Sequence, residues 1–209
     1  MIVFGLIGAG VLAAAAIFLW TINNVEQPQY RTAASEGPFE LRDYPPLVVA
    51  EVTGEGDRWT AVNGGFRPLA NYIFAKERAG DAIAMTAPVT QQRRERIAMT
   101  APVTQTPADA QGSWTVRFIM PSQYALDGLP EPTNPDVRLA ELPAQQRAAI
   151  RFSGVATDEL IAEKEAALRV WMDERGLKPS GAPTYAYYNA PWTPGFLRRN
   201  EVMFDVAAN

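Results

Sequence analysis

The sequence predicts an α+β domain with internal pseudo-twofold symmetry: an antiparallel or mixed sheet carrying two helices, behind an N-terminal apolar segment. Three observations predict it. The order strand, helix, strand, strand occurs twice along the chain, without the regular β-α-β alternation of a parallel sheet. The segment Ile-Ala-Met-Thr-Ala-Pro-Val-Thr-Gln is present twice, at residues 83–91 and 97–105. Residues 2–22 carry no charge, and at 1.5 Å per residue such a run reaches ~30 Å, the thickness of a bilayer's hydrocarbon core.

The apolar segment comes first in the chain. It has no Lys or Arg in its opening residues, and its alanine run Ala13–Ala16 is followed by more apolar sequence, Ile17-Phe18-Leu19-Trp20. That pattern predicts an uncleaved transmembrane anchor, with Trp20 at an interface, over the alternative of a signal peptide whose removal would leave a secreted protein. The predicted organisation is an anchor or signal segment over residues 1–24, a polar linker over 25–37 and a domain over 38–209. The domain is expected on the periplasmic or extracytoplasmic side of the membrane.

Residues 47–53, Leu-Val-Val-Ala-Glu-Val-Thr, are rich in β-branched side chains and end at Gly54-Glu55-Gly56, the pattern of a strand. A helix is predicted over 57–76 from the spacing of Trp59, Val62, Phe66, Leu69, Ile73 and Phe74. Gly64, Gly65 and Pro68 predict a kink or a break in its middle. The two nine-residue copies, offset by fourteen, predict an antiparallel hairpin across the basic turn Gln92-Arg93-Arg94-Glu95-Arg96. Each copy holds a proline, Pro88 or Pro102, which predicts a bulge or an edge position. Further strands are predicted over 114–120, 137–142, 148–154, 184–189 and 201–206. Between them, Thr157 caps a second helix that stops before Gly176.

Composition excludes much. The net charge of −4 argues against a nucleic-acid surface, because nothing here would neutralise a run of phosphates. With no cysteine and no histidine, the chain has no disulfide, thiolate metal site, cysteine nucleophile, Ser-His-Asp triad or axial histidine. No serine lies in a Gly-x-Ser-x-Gly elbow, and Gly54-Glu55-Gly56 is too short to cradle a dinucleotide. The sequence therefore predicts a binding protein and no enzyme.

The helix over 57–76 pairs an apolar face with the cations Arg58, Arg67 and Lys76. A ligand with a flat apolar body and peripheral carboxylates would use such a surface, with Trp59, Phe66, Tyr72, Met85 and Met99 as walls. Methionines and aromatics at these spacings also fill ordinary cores.

Several strings resemble one family in order along residues 38–206. Gly65-Phe66-Arg67-Pro68-Leu69-Ala70-Asn71-Tyr72-Ile73-Phe74 is similar to the first helix of the SOUL/haem-binding proteins, and Tyr44-Pro45-Pro46-Leu47-Val48-Val49-Ala50 to the strand before it. The doubled Ile-Ala-Met-Thr-Ala-Pro-Val resembles the family's hairpin, and Phe118-Ile119-Met120-Pro121-Ser122-Gln123-Tyr124 its next strand. Tyr188-Asn189-Ala190-Pro191-Trp192-Thr193-Pro194 and Arg198-Arg199-Asn200-Glu201-Val202 resemble its C-terminal segment. The resemblance implies two β-α-β-β repeats forming a distorted sheet or barrel flanked by two helices. It also implies non-covalent binding of haem or another porphyrin in an apolar cleft beside the first helix, in a carrier or buffering role. Iron would be ligated by Tyr72, Met85, Met99 or a lysine, or else the porphyrin would be held by packing and propionate contacts alone. The alternative is an effector-binding or interaction domain for another apolar small molecule, since the fold is shared with gyrase-inhibitor-like domains.

Overall fold

The computed structural model describes residues 25–76, 78, 80–93 and 113–207. Among them, nine strands form one antiparallel sheet: β1 (Arg31–Glu36), β2 (Phe39–Tyr44), β3 (Leu47–Glu55), β4 (Val89–Arg93), β5 (Ser113–Ile119), β6 (Arg138–Leu142), β7 (Gln145–Phe152), β8 (Pro179–Tyr187) and β9 (Asn200–Val206). Helix α1 (Arg58–Ile73) follows β3, and helix α2 (Asp158–Asp173) follows β7.

The spatial order β1-β2-β7-β9-β8-β4-β5-β3-β6 displays the pseudo-symmetry. The first repeat is β3-α1-β4-β5 and the second β7-α2-β8-β9, and the two meet along the β4–β8 pair, where Val89 lies opposite Tyr187. The strand before each repeat crosses to the other half. β2, joined to β3 by Pro45-Pro46, pairs with β7, whereas β6, joined to β7 by Pro143-Ala144, pairs with β3. A proline at each corner supplies no amide hydrogen for a hairpin ladder, so each chain turns away and finds its partner across the molecule.

Both helices lie on one face. α1 packs Leu69, Tyr72 and Ile73 on Ala50 and Val52 of β3 and on Val116 and Phe118 of β5. α2 packs Ile161, Leu168, Trp171 and Met172 on Ala148, Ile150, Val202 and Phe204. Leu168 and Met172 are fully buried; such side chains each contribute ~1.5–3 kcal/mol through removal from water. The helix termini follow the sequence. Asp57 accepts from the Thr60 amide, Thr157 accepts from the Leu160 amide, and Gly176 takes φ +66° just past α2.

Several expectations need correction. α1 is one continuous helix across Gly64, Gly65 and Pro68, and not two short ones. Gly65 is required by packing, because a Cβ there would come within 2.9 Å of the Val116 side chain. The repeated segments do not pair with each other along residues 89–92, since β4 has β5 on one side and β8 on the other; the second copy lies outside the described residues. The proline accounts for the first copy's late start as a strand: pairing begins at Val89, immediately after Pro88. Residues 31–36, expected in a linker, form β1, and the strand before Pro45 reaches back to Phe39. The sheet is open and not a barrel. β1 and β6 form its two edges, and β1 is short, polar and fully exposed, which discourages a further strand from adding. No helix among the described residues is long and apolar enough to cross a membrane; the expected anchor, residues 2–22, lies outside them.

Candidate functional site

The predicted site residues divide between the two flanks of α1 and its first turn. Trp59, Phe66 and Phe74 are 43%, 38% and 46% exposed. At 100° per residue they fall within a narrow arc of the helix, beside the face that packs on the sheet. The rise from Trp59 to Phe66 is ~10 Å, so the three rings form a line along one flank. Two of them are held from within: Phe66 meets buried Phe118 edge-on at 5.2 Å, and the Arg58 guanidinium lies 4.6 Å from the Trp59 ring centre. Arg67 is exposed beside this line and Lys76 is exposed just past the end of α1, and neither makes an ion pair with any described residue.

Arg58 is not a rim cation. It is buried at the start of α1, where its Nε donates to Asp158 Oδ1 at 2.8 Å, its Nη1 to the Tyr187 hydroxyl at 2.7 Å and its Nη2 to the Ala156 carbonyl at 2.9 Å. Asp158 opens α2 as Arg58 opens α1, so the pair joins equivalent positions of the two repeats across the pseudo-twofold axis. Beneath it, Gln91 of β4 donates to the Arg58 carbonyl at 2.8 Å. Burial pushes the Tyr187 hydroxyl above its ordinary pKa, partly offset by the Arg58 charge and hydrogen bond.

Tyr72 belongs to the opposite flank. It is buried, and its hydroxyl donates to the Pro130 carbonyl at 2.8 Å; burial raises its pKa, against the pull of Arg78. Met85 is half-buried and packs against the core cluster under α1. Met99 lies outside the described residues. Tyr72 is turned from the aromatic flank, with its hydroxyl engaged by Pro130. The flank does fit the body of a tetrapyrrole, with aromatic surface for the ring and Arg67 and Lys76 for its carboxylates.

Phe74 extends this line, although helical spacing alone marks it only as part of the apolar stripe. Its signal was present, since it lies eight residues past Phe66.

The opposite face of the sheet carries a different feature. A cavity of about 430 Å³ is lined by residues that include Glu51, Thr53, Gln92, Thr115, Arg117 and Arg138. Its floor is an ion pair, Arg117 Nε to Glu51 Oε2 at 2.8 Å, with Arg117 also donating to Gln92 Oε1 at 3.1 Å. An apolar macrocycle there would strip water from these charges without replacing it. The cavity therefore does not fit a tetrapyrrole, although its size is ordinary for a small-molecule site.

On the same face, Glu201 is fully buried and receives Arg42 Nη1 at 2.6 Å, Arg42 Nη2 at 3.0 Å, Arg199 Nη2 at 2.7 Å and the Tyr188 hydroxyl at 2.8 Å. Burial alone would push the Glu201 carboxyl up, but the hydrogen bonds and charges of Arg42 and Arg199 outweigh it and hold the carboxyl low. With every oxygen of this group engaged, it is a structural tie between β2 and β9.

Comparison with solved structures finds the same fold at low identity. The EcmrR C-terminal domain superposes with a TM-score of 0.59 at 12% identity, covering 86% of this chain and 99% of that one. A hydrolase from Listeria innocua gives 0.56 at 13% identity, covering 84% and 94%. An uncharacterized conserved protein from the same organism gives 0.56 at 15% identity, covering 83% and 94%. No curated protein matches the chain. The family model for the SOUL heme-binding protein matches residues 25–205. That match spans both repeats and the α1 flank, and on it the chain belongs to the SOUL heme-binding protein family.

Proposed function

We infer that this protein binds haem or a related porphyrin non-covalently along the exposed flank of α1, in a carrier or buffering role and tethered to a membrane by residues 2–22. The observation that carries the reading is the line of Trp59, Phe66 and Phe74, three large rings left exposed on a helix whose neighbouring face is tightly packed. Family membership supports the tetrapyrrole as ligand. The ring would lie on aromatic surface, while Arg67 and Lys76 pair with its carboxylates. Bound haem would supply its own redox and ligand chemistry; the residues of this flank bind and orient it and keep water from one of its faces.

Titrating the full chain in detergent with haem tests the reading. The expected result is a Soret shift with tryptophan quenching at micromolar haem; neither signal at that concentration would overturn it. A second reading, an effector-binding domain, is supported by the 430 Å³ cavity on the other face, whose walls suit a hydrophilic molecule. A rise in melting temperature with polar ligands and none with haem would favour it.

A further inference from the structure

The most exposed aromatic residues noted in the fold are not on α1. Trp192 and Phe196 are 75% and 78% exposed in the loop between β8 and β9, with exposed Leu197 beside them and exposed Val155 against the same turn. This loop is held firmly. The Thr193 amide donates to Ala190, Leu197 to Pro194 and Arg198 to Gly195, closing two successive turns. Arg198 reaches back to the Thr193 carbonyl at 2.7 Å and to the Pro191 carbonyl, and the Gly154 amide donates to Gly195 at 3.0 Å. The backbone is thus braced by its own polar groups, with large apolar side chains directed outward. A cluster of this kind on a braced loop marks an interaction surface, unlike apolar residues scattered singly.

The path of the chain indicates the partner. Arg199, at the foot of this loop, donates from Nη1 to Gln27 Oε1 at 3.0 Å. Gln27 lies five residues beyond Ile22, the last residue of the uncharged segment. Five extended residues span at most ~18 Å. A bilayer holding residues 2–22 therefore lies within about 18 Å of Gln27, whose side chain touches the foot of the loop. Tryptophan with neighbouring apolar side chains is the composition favoured at the boundary between headgroups and acyl chains.

We propose that Trp192, Phe196 and Leu197 insert into the interfacial layer of the bilayer that holds residues 2–22, fixing the domain against the membrane at a second point. The proposal rests on the reading that residues 2–22 enter the membrane. It assigns the β8–β9 loop a lipid partner, separate from the α1 flank.

The chain has no cysteine, so a single introduced one can carry a polarity-sensitive fluorophore. Phe196→Cys and Trp192→Cys place it on the loop. Asp173→Cys places it at the end of α2, near the opposite ends of β8 and β9. Full chains would be reconstituted in phosphatidylcholine vesicles with and without doxyl-labelled lipid and recovered by flotation. The expected result is flotation of all three, with blue-shifted emission and doxyl quenching at positions 192 and 196 but not at 173. Flotation with all three labels reporting water would overturn the loop proposal and leave the tether standing. Failure to float would overturn the tether, and the loop proposal with it.

Discussion

Replacing Arg58 with methionine separates its structural role from a ligand-binding one. The substitution keeps an unbranched apolar stem and removes a guanidinium that reaches three groups across the pseudo-twofold axis: Asp158, the Tyr187 hydroxyl and the Ala156 carbonyl. The Asp158 carboxylate is largely exposed, so its own loss is that of a surface pair, ~0–1 kcal/mol. The Ala156 carbonyl is buried and Tyr187 is half-buried, and leaving buried groups unpartnered costs ~1–3 kcal/mol each. Half-buried Tyr187 and exposed Asp158 can turn to water, which puts the total near the low end of those ranges, at about 3 kcal/mol; in a chain of this size that lowers the melting temperature by about 6–12 °C. Asp158→Asn, which keeps the buried partners, should cost no more than about 1 kcal/mol. Thermal unfolding followed by circular dichroism reads both. An Arg58→Met protein that melts with the wild type would refute the view that this residue holds the two halves together.

Glu201→Gln should cost about 1–3 kcal/mol, because it removes the charge that faces buried Arg42 and half-buried Arg199 while leaving Arg42 its pair with Glu40. The folded Glu201 carboxyl lies below its ordinary value of 4.5, so its contribution is complete above that value and is lost as pH falls through the lower folded one. Melting temperature against pH should therefore fall on the acid side in the wild type, with that part of the fall missing in Glu201→Gln; superimposable profiles would contradict this. Gly65→Ala should destabilise by about 1–3 kcal/mol, since its Cβ meets Val116 at 2.9 Å. Gly64→Ala, with nothing within 4 Å, should stabilise by roughly 0.5–1 kcal/mol through helix propensity. Chemical denaturation of the pair checks the opposite signs. Arg67→Ala should weaken haem binding without moving the melting temperature of the ligand-free protein, as spectral titration and calorimetry together would show.

Much of the fold was legible because it rests on local patterns. The β-branched run at residues 47–53, the cap at Thr157 and the stop at Gly176 each state their structure within a few residues. What the sequence concealed was long-range. The nine-residue repeat suggested that its copies pair, whereas strand β4 is claimed on both sides by β5 and β8, segments whose own sequences do not resemble it. Strand β1 has no apolar periodicity because every one of its residues is exposed at an edge, so its polar composition read as linker. The candidate site was legible as a helix and a set of aromatics, but helical spacing alone did not distinguish the two flanks. Trp59 and Phe66 are exposed, Tyr72 is bound to Pro130, and Arg58 is buried and tied to Asp158 across the two repeats. The deciding partners, Ala156, Asp158 and Pro130, are between 58 and 100 residues away in sequence.

On the proposed function, the tetrapyrrole lies on the α1 flank and not in the cavity across the sheet. Haem affinity of Trp59→Ser/Phe66→Ser compared with Arg138→Glu, a cavity substitution, tests it most directly. Losing two aromatic contacts at ~0.5–1.5 kcal/mol each, beyond the area they bury, should weaken binding by about tenfold or more, whereas Arg138→Glu should leave it unchanged. Undiminished affinity in the flank variant, or a loss confined to Arg138→Glu, would rule out the flank as the binding surface.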